Sequence, residues 1–381
     1  MQTPQDNPCA PICADLARRV VLIGPSVRAA AQSLQIAGYS PIGIDQFGDL
    51  DTQQACSQWH RLQDFRDPPH STPDSTRIEP ILCQTDGVWI VGGLASGYDW
   101  LEPIADRILG ASPTAFRDST SPEALAEIAR VAGVHFPAVV ERGTIPVGWL
   151  TKRRNSSGGI GVQIGIPGQP IPVGCFAQQR VTGQVFGASL VANFSHAHLA
   201  GVCRLRKKRF PQRPFVFAGA IGPLPIQPAV ADQLERIANA WLSQHPMTGP
   251  LNIDFVCDHI GSRITLLEIN PRYSASMELI ERAYRETLER PISMFDPPSQ
   301  WEKQLWRTRN QRDCLTPLSK QIHFSRTGDI VSPDDFAGKG RFSGTGWHDI
   351  PASRTVIPAG GPIATWIGPF RRDRLRTKTL P

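Results

Sequence analysis

No stretch of this 381-residue sequence approaches the roughly 18 consecutive apolar residues needed to cross a bilayer, so no membrane association is expected. The N-terminus, MQTPQDNPCAPICADLARR, also lacks the apolar segment of a secretory signal. Cysteine is too thinly spread for a disulfide scaffold. Cys9, Cys13, Cys56, Cys83, Cys175, Cys203, Cys257 and Cys314 are scattered along a long chain, which predicts reduced thiols and a cytoplasmic protein. Only Cys9 and Cys13 are close in sequence, and with no second Cys/His pair nearby their spacing predicts a loose leader and not a metal site. The glycines form neither G-x-G-x-x-G nor G-x-x-x-x-G-K-[ST], which disfavours a dinucleotide fingerprint and a P-loop. No serine or cysteine stands in a recognisable nucleophile setting; Ser274 and Ser276 read as N-capping residues of a following helix.

What the chain does have fits an ordinary globular α/β protein. Its 33 glycines and 35 prolines are dispersed, as short turns require. The net charge of +6 is moderate and comes largely from two runs, Arg204 to Arg213 and Arg371 to Lys378. Sparse aromatic interleaving makes these solvated faces, the first a loop, with no nucleic-acid partner expected.

The length suits two or three domains. RVVLIGPSVRAAAQSLQIAGYSPIGIDQ reads as strand, turn, alanine-rich helix ending at Gly38, and a strand ending at Asp45; GVWIVGGL is a further strand. These predict a doubly wound parallel-sheet domain over residues 1–112. A helix is expected from Ser121-Pro122-Glu123 to Gly133, a strand in GWLTKRR, two strands around Gly183, and an amphipathic helix over 228–244. Beyond about residue 315, QIHFS, DIVSP and TVIPAGGPIATWI predict a β-rich C-terminal part.

The chemistry concentrates in PLNIDFVCDHIGSRITLLEINPR. Two alternating stretches flank a polar turn at Gly261, the pattern of a β-hairpin. If it is symmetric and unbulged, Asp254 faces Glu268 and Asn252 faces Asn270, while Ile253, Phe255, Leu267 and Ile269 turn to the core. Directly opposed carboxylates repel, so the pair invites a cation; two carboxylates and an amide suit Mg2+, and Mn2+ would take the same donors. Arg272 follows the strand-ending proline and precedes a helix, a setting that favours an anion. KRRNSSGGIG supplies Lys152 as a point charge and Ser156, Ser157, Gly158, Gly159 and Gly161 as a mobile, side-chain-poor cover for phosphates. His196, His198 and Cys203 in SHAHLAGVC have a spacing that a strand could turn into a metal site, or into a substrate-pocket or surface feature.

This combination resembles the ATP-grasp superfamily of carboxylate-amine and carboxylate-thiol ligases. Within it, the chain is most similar to the carboligases related to biotin carboxylase, with Asp349-Ile350-Pro351 and Gly361-Pro362-Ile363-Ala364-Thr365 matching their C-terminal signature. The resemblance implies an ATP-grasp fold of class α/β (α+β). The doubly wound domain would be followed by an ATP-grasp domain at 113–300, with lobes at 113–185 and 186–300, and by a β-rich domain at 301–381. It further implies Mg2+ on Asp254, Glu268 and Asn270, and ATP phosphates on Lys152 and Arg117. Arg272 would hold the γ-phosphate, and the adenine hinge would lie in FAQQRVTG at Gln178 and Gln179. The implied activity joins a small carboxylate to an amine or thiol through an acyl phosphate, on an amino-acid-like or cofactor-precursor substrate. Alternatives are a bicarbonate-using carboxylase and a non-catalytic ATP sensor. A homodimer is compatible with this reading.

Overall fold

In a computed structural model, residues 18–66, 72–94, 97–257, 263–288, 291–297, 299–301, 315–336 and 346–370 are described. The Cys9/Cys13 leader, the Gly261 turn, Cys314 and the basic run 371–378 lie outside them.

Short apolar runs alternating with helices give the first unit its form. Strands β1 (Arg19–Ile23), β2 (Ser40–Asp45), β3 (Gln58–Arg61) and β4 (Val88–Ile90) make a parallel sheet in the order β3-β2-β1-β4. Helices α1 (Arg28–Ile36), α2 (Leu50–Ala55) and α3 (Ser75–Leu82) connect them. β1 is buried on both faces, as crossover helices require. Two short helices then lead out, α4 (Pro113–Asp118) and α5 (Pro122–Ala132). Each has a serine cap, Ser112 and Ser121, accepting from Ala115 N and Ala124 N at 3.2 Å, and Gly133 ends α5 at φ 65°.

Strands β5 (Val139–Val140), β6 (Trp149–Arg153), β7 (Val162–Ile164) and β8 (Cys175–Gln179) form a small antiparallel sheet, ordered β5-β8-β6-β7. The chain next builds the large sheet with β9 (Gln184–Phe194), β10 (His196–Phe210) and β11 (Arg213–Gly222). Helix α6 (Pro228–Gln244), the hairpin β12 (Met247–Cys257) and β13 (Ile264–Asn270), and helix α7 (Met277–Leu288) follow. α6 buries Val230, Leu234, Ile237, Ala238 and Trp241 from one face, each contributing about 1.5–3 kcal/mol for the larger apolar side chains. The stretch from Arg204 to Phe210, expected as a solvated loop, is instead the second half of strand β10, paired along its length to β11 and at Arg204 also to β9.

After these come β14 (Leu318–Phe324), β15 (Asp329–Val331), β16 (Gly346–His348), β17 (Thr355–Ile357) and β18 (Pro362–Pro369). β14, β18 and β16 continue the large sheet, which runs β13-β12-β9-β10-β11-β14-β18-β16, and only β15 and β17 pair apart from it. The C-terminal strands therefore share a sheet with the middle of the chain.

A buried ionic cluster ties these parts together. Arg28 of α1, 1 % exposed, grips Glu278 of α7 through two bonds of 2.6 and 2.9 Å and donates to Asp349 at 2.6 Å. Glu278 also accepts from Lys320 of β14 at 2.7 Å and from Arg282 at 2.8 Å. Burial alone would raise the Glu278 carboxyl, but Arg28, Lys320 and Arg282 hold it well below 4.5. Its contribution to stability is therefore complete above the unfolded value and is lost as pH falls through the lower folded value. Glu278→Gln leaves the surrounding cations uncompensated and is expected to cost about 3–5 kcal/mol at neutral pH, read from urea unfolding. An unchanged unfolding midpoint would remove the cluster from its role as a tie between the domains.

Candidate active site

The β12/β13 hairpin places the acidic pair. Asn252 pairs with Asn270, Ile253 with Ile269 and Asp254 with Glu268, so both carboxylates and both amides share one face. Beyond Asp254 a bulge shifts the ladder, and Phe255 pairs with Leu266. The bulge corrects one expectation: the extra residue re-aims the side chains, so Leu266 is fully buried and Leu267 lines the cavity beside Glu268.

That cavity, about 870 Å3, lies between the small sheet, the large sheet and the first domain, and Asp254, Glu268, Asn270, Arg272 and Lys152 all line it. Burial, then the facing Glu268, pushes the Asp254 carboxyl up to about 7, against the pull of Asn252, Arg272 and Lys152. The Asn252 amide donates to Asp254 at 2.7 Å, and the Arg272 guanidinium donates to Asn270 Oδ1 at 2.6 Å. Lys152, on β6 opposite, has its ammonium pushed down by burial, with Glu268 and Asp254 opposing the shift. The donor set is two carboxylates and an amide, short of one compensating cation, which fits a divalent oxygen-seeking ion. Among the described residues no group of three or more His, Cys, Asp or Glu is arranged for a metal.

The glycine-rich loop lies closed over this set. Gly158 and Gly159 hold φ of 63° and 72°, and Phe217 N of β11 donates to Gly158 O at 2.8 Å. A Cβ on Gly159 would stand 2.0 Å from Phe215 O, so glycine is required there for contact as well as conformation. Ser157 rests on Gly93 of the first domain, where an added Cβ would meet the serine Cβ at 2.3 Å. Ser157, Gly158 and Gly159 line the main cavity; Ser156 lines a small recess beside Lys152, and Gly161 packs on Ser156. On the far side, Gln178, 2 % exposed, and Gln179 line the cavity, and Gln179 N donates to Ala138 O at 2.9 Å.

Arg117 is not brought to the cavity. Its guanidinium pairs with Glu102, stands 4.0 Å from Asp99 and donates to Thr114 Oγ1 at 3.1 Å, so the expectation of a phosphate contact is corrected: local acceptors occupy it. His196 and His198 sit at the β9/β10 turn, away from the cavity, which leaves the surface reading of that motif. Neither candidate cap hydroxyl acts as expected: Ser276 Oγ reaches Asn252 Oδ1 at 3.5 Å, and Ser274 Oγ is buried at the cavity wall without a hydrogen-bond partner among the described residues. Sequence reasoning missed Arg204, Arg206 and Lys207, which β10 carries along the cavity, and Arg28, Asp49 and Lys320, which also line it. The period-two spacing of Arg204 and Arg206 within an apolar-flanked run was the available signal.

Residues 125–276 match the family model of an ATP-grasp domain. Over that stretch the chain is similar to an ATP-grasp domain. Comparison with solved structures agrees. The Aspergillus clavatus carboxyaminoimidazole ribonucleotide synthase, complexed with ATP, is 11 % identical at a TM-score of 0.65, over 93 % of this chain and 94 % of that one. The Bacillus licheniformis L-amino acid ligase is 12 % identical at 0.58, over 93 % and 94 %. The biotin carboxylase domain of the Hydrogenobacter thermophilus 2-oxoglutarate carboxylase, with MgADP and bicarbonate, is 12 % identical at 0.60, over 93 % and 86 %. At these identities the likeness is one of fold. No curated protein sequence matches the chain.

Two outcomes follow from the geometry of the ATP-grasp site. The Asp254 carboxyl rises from 3.8 to about 7, so in metal-free protein the ionised pair lowers stability increasingly as pH rises across that range. Asp254→Asn is expected to raise the metal-free melting midpoint by about 1–3 °C at neutral pH and to show no further rise with Mg2+, where the wild type is expected to rise. A Mg2+-dependent rise retained by the variant would contradict the assignment. Gly93→Ala is expected to displace Ser157 and weaken binding of a fluorescent ATP analogue about tenfold with the fold intact; unchanged affinity would show that the loop does not need this seat.

Proposed function

We propose that the chain is an ATP- and Mg2+-dependent ligase that activates a carboxylate as an acyl phosphate for attack by an amine. The observation that carries the reading is the register of one hairpin, which sets Asp254 against Glu268 with Asn270 and Arg272 beside them in a cavity closed by a glycine-rich loop. Asp254, Glu268 and Asn270 would hold Mg2+, which when bound neutralises phosphate charge and orients the transferred group. Gln178, Gln179 and the backbone around them would take the adenine. Lys152, with Ser157, Gly158 and Gly159, would cradle the phosphates.

The protein's own contribution is positioning and charge, with little covalent work. Arg272 is pre-oriented by its bond to Asn270, so its guanidinium meets the transferred phosphoryl group without reorganisation. The loop, seated on Gly93 and on β11, excludes water that would hydrolyse an acyl phosphate. Arg204, Arg206 and Lys207 give the cavity wall a positive stripe suited to an anionic carboxylate substrate.

A screen of carboxylates with ATP and Mg2+ in hydroxylamine traps any acyl phosphate as a hydroxamate. Hydroxamate and ADP are expected from at least one carboxylate, with turnover reduced about 10²–10³-fold in Arg272→Gln and lost in Glu268→Gln. Neither product across a broad screen, with nucleotide still bound, would replace the ligase by a non-catalytic ATP sensor.

A further inference from the structure

Two aspartates from opposite parts of the chain, Asp49 and Asp349, line the cavity, and the first has no ion pair among the described residues. Asp49 stands at the N-cap position of α2, yet its side chain makes no capping hydrogen bond. It is 8 % exposed, lines the cavity, and has no hydrogen-bond or ion-pair partner among the described residues. Asp349 lines the same wall with its side chain 23 % exposed. Its backbone, at φ 54°, is fixed by Asp51, which accepts from Asp349 N at 2.8 Å and from Ile350 N at 3.0 Å.

Among the described residues, the cations near Asp49 are already engaged. Arg28, Lys320 and Arg282 are the cations, and they are shared among Glu278, Asp349 and Asp51. Asp45 is satisfied by Trp59 Nε1 at 2.8 Å and by the amides of Gly48 and Val27 at 2.9 and 3.4 Å. His348 adds no charge, since burial first and then Arg28 push its imidazole down to about 4. Asp49 has no ion pair among the described residues: burial, then Asp349, Asp51 and Asp45, pushes its carboxyl up to about 8, and Arg28, which pulls the other way, does not offset them. A buried carboxylate without a partner is costly, and a ligand cation is the group that relieves it. Phe47, Ala29 and Ile363 line the same cavity and suit the apolar body of such a ligand.

We propose that Asp49 and Asp349 form the recognition subsite for the ammonium group of a primary amine or amino acid. Only the assignment of that molecule as the acceptor rests on the ligase reading; the binding itself does not require nucleotide turnover. Asp349, already anchored by Arg28, sets the position, and Asp49 gives up its proton to the solvent when the ammonium binds and supplies the second carboxylate.

The test uses the full-length protein without nucleotide. Alkylamines, arylalkylamines and amino acids are each paired with the alcohol or hydroxy acid of the same shape, and binding is measured by calorimetry. At least one amine is expected to bind about tenfold or more tightly than its hydroxyl partner, as a charge-assisted hydrogen bond allows, and Asp49→Asn to erase that preference. No preference in the wild type, a comparison that needs no variant, overturns the proposal, as does a full preference in a folded Asp49→Asn protein. Hydroxamate formation without amine preference sinks the subsite alone. Amine preference without hydroxamate sinks the ligase and leaves the subsite.

Discussion

Two carboxylates set directly opposite on neighbouring strands are the constraint around which the site is arranged. Like charges at that separation destabilise a sheet, so Asp254 and Glu268 need compensation that the hairpin cannot supply. The chain answers from three directions: Asn252 donates to Asp254, Lys152 reaches across from the small sheet, and Arg272 is held by Asn270 at the strand end. The balance still leaves Asp254 raised to about 7. Such a pair would suit a divalent ion, and the cost of holding it is carried by the surrounding core. Leu266, Ile253 and Ile269, buried on the opposite face, hold the register that keeps the repulsion in place.

The small sheet matters because it carries Lys152 and the loop on strands separate from the acidic hairpin. Lys152 can face Asp254 and Glu268 only because β6 is central in its sheet, paired with β7 and β8. The loop that follows β6 reaches past the acidic pair to Gly93, and Tyr273, just beyond Arg272, bridges Val91 of the first domain. The first domain is thus a wall of the site as well as its neighbour, and the Arg28–Glu278 cluster beneath holds that wall against α7.

Much of this was legible in the sequence where local rules suffice. The helix over 228–244, the cap at Ser121, the stop at Gly133 and the pairing of Asp254 with Glu268 all follow from spacing and turn chemistry. The bulge that sends Leu267 to the cavity does not, because a one-residue insertion in a ladder leaves the hydrophobic run unchanged to the eye. Arg117 shows a second limit: a cation at the expected place in the chain was captured by Glu102, and which acceptor wins depends on packing. The basic stretch from Arg204 misled for the opposite reason, since charge suggests solvent while long cationic side chains on a central strand can line a cavity. The cluster of Arg28, Asp51, Glu278, Lys320 and Asp349 joins residues up to 321 positions apart, and no periodicity reports such contacts.

The cavity is lined by side chains of both signs, and this restricts what can fill it. Lys152, Arg272 and the stripe Arg204, Arg206 and Lys207 favour anions, while Asp49 and Asp349 disfavour them. Orientation follows from the field of the walls before any specific hydrogen bond forms. Because Asp49 precedes α2 in the first domain, Asp254 lies in the large sheet, Lys152 in the small one and Asp349 just after β16, this distribution of charge exists only in the assembled chain. Asp349 accepts from Arg28, so a substitution that loosened the Arg28–Glu278 tie would disturb the distribution from outside the cavity's other walls.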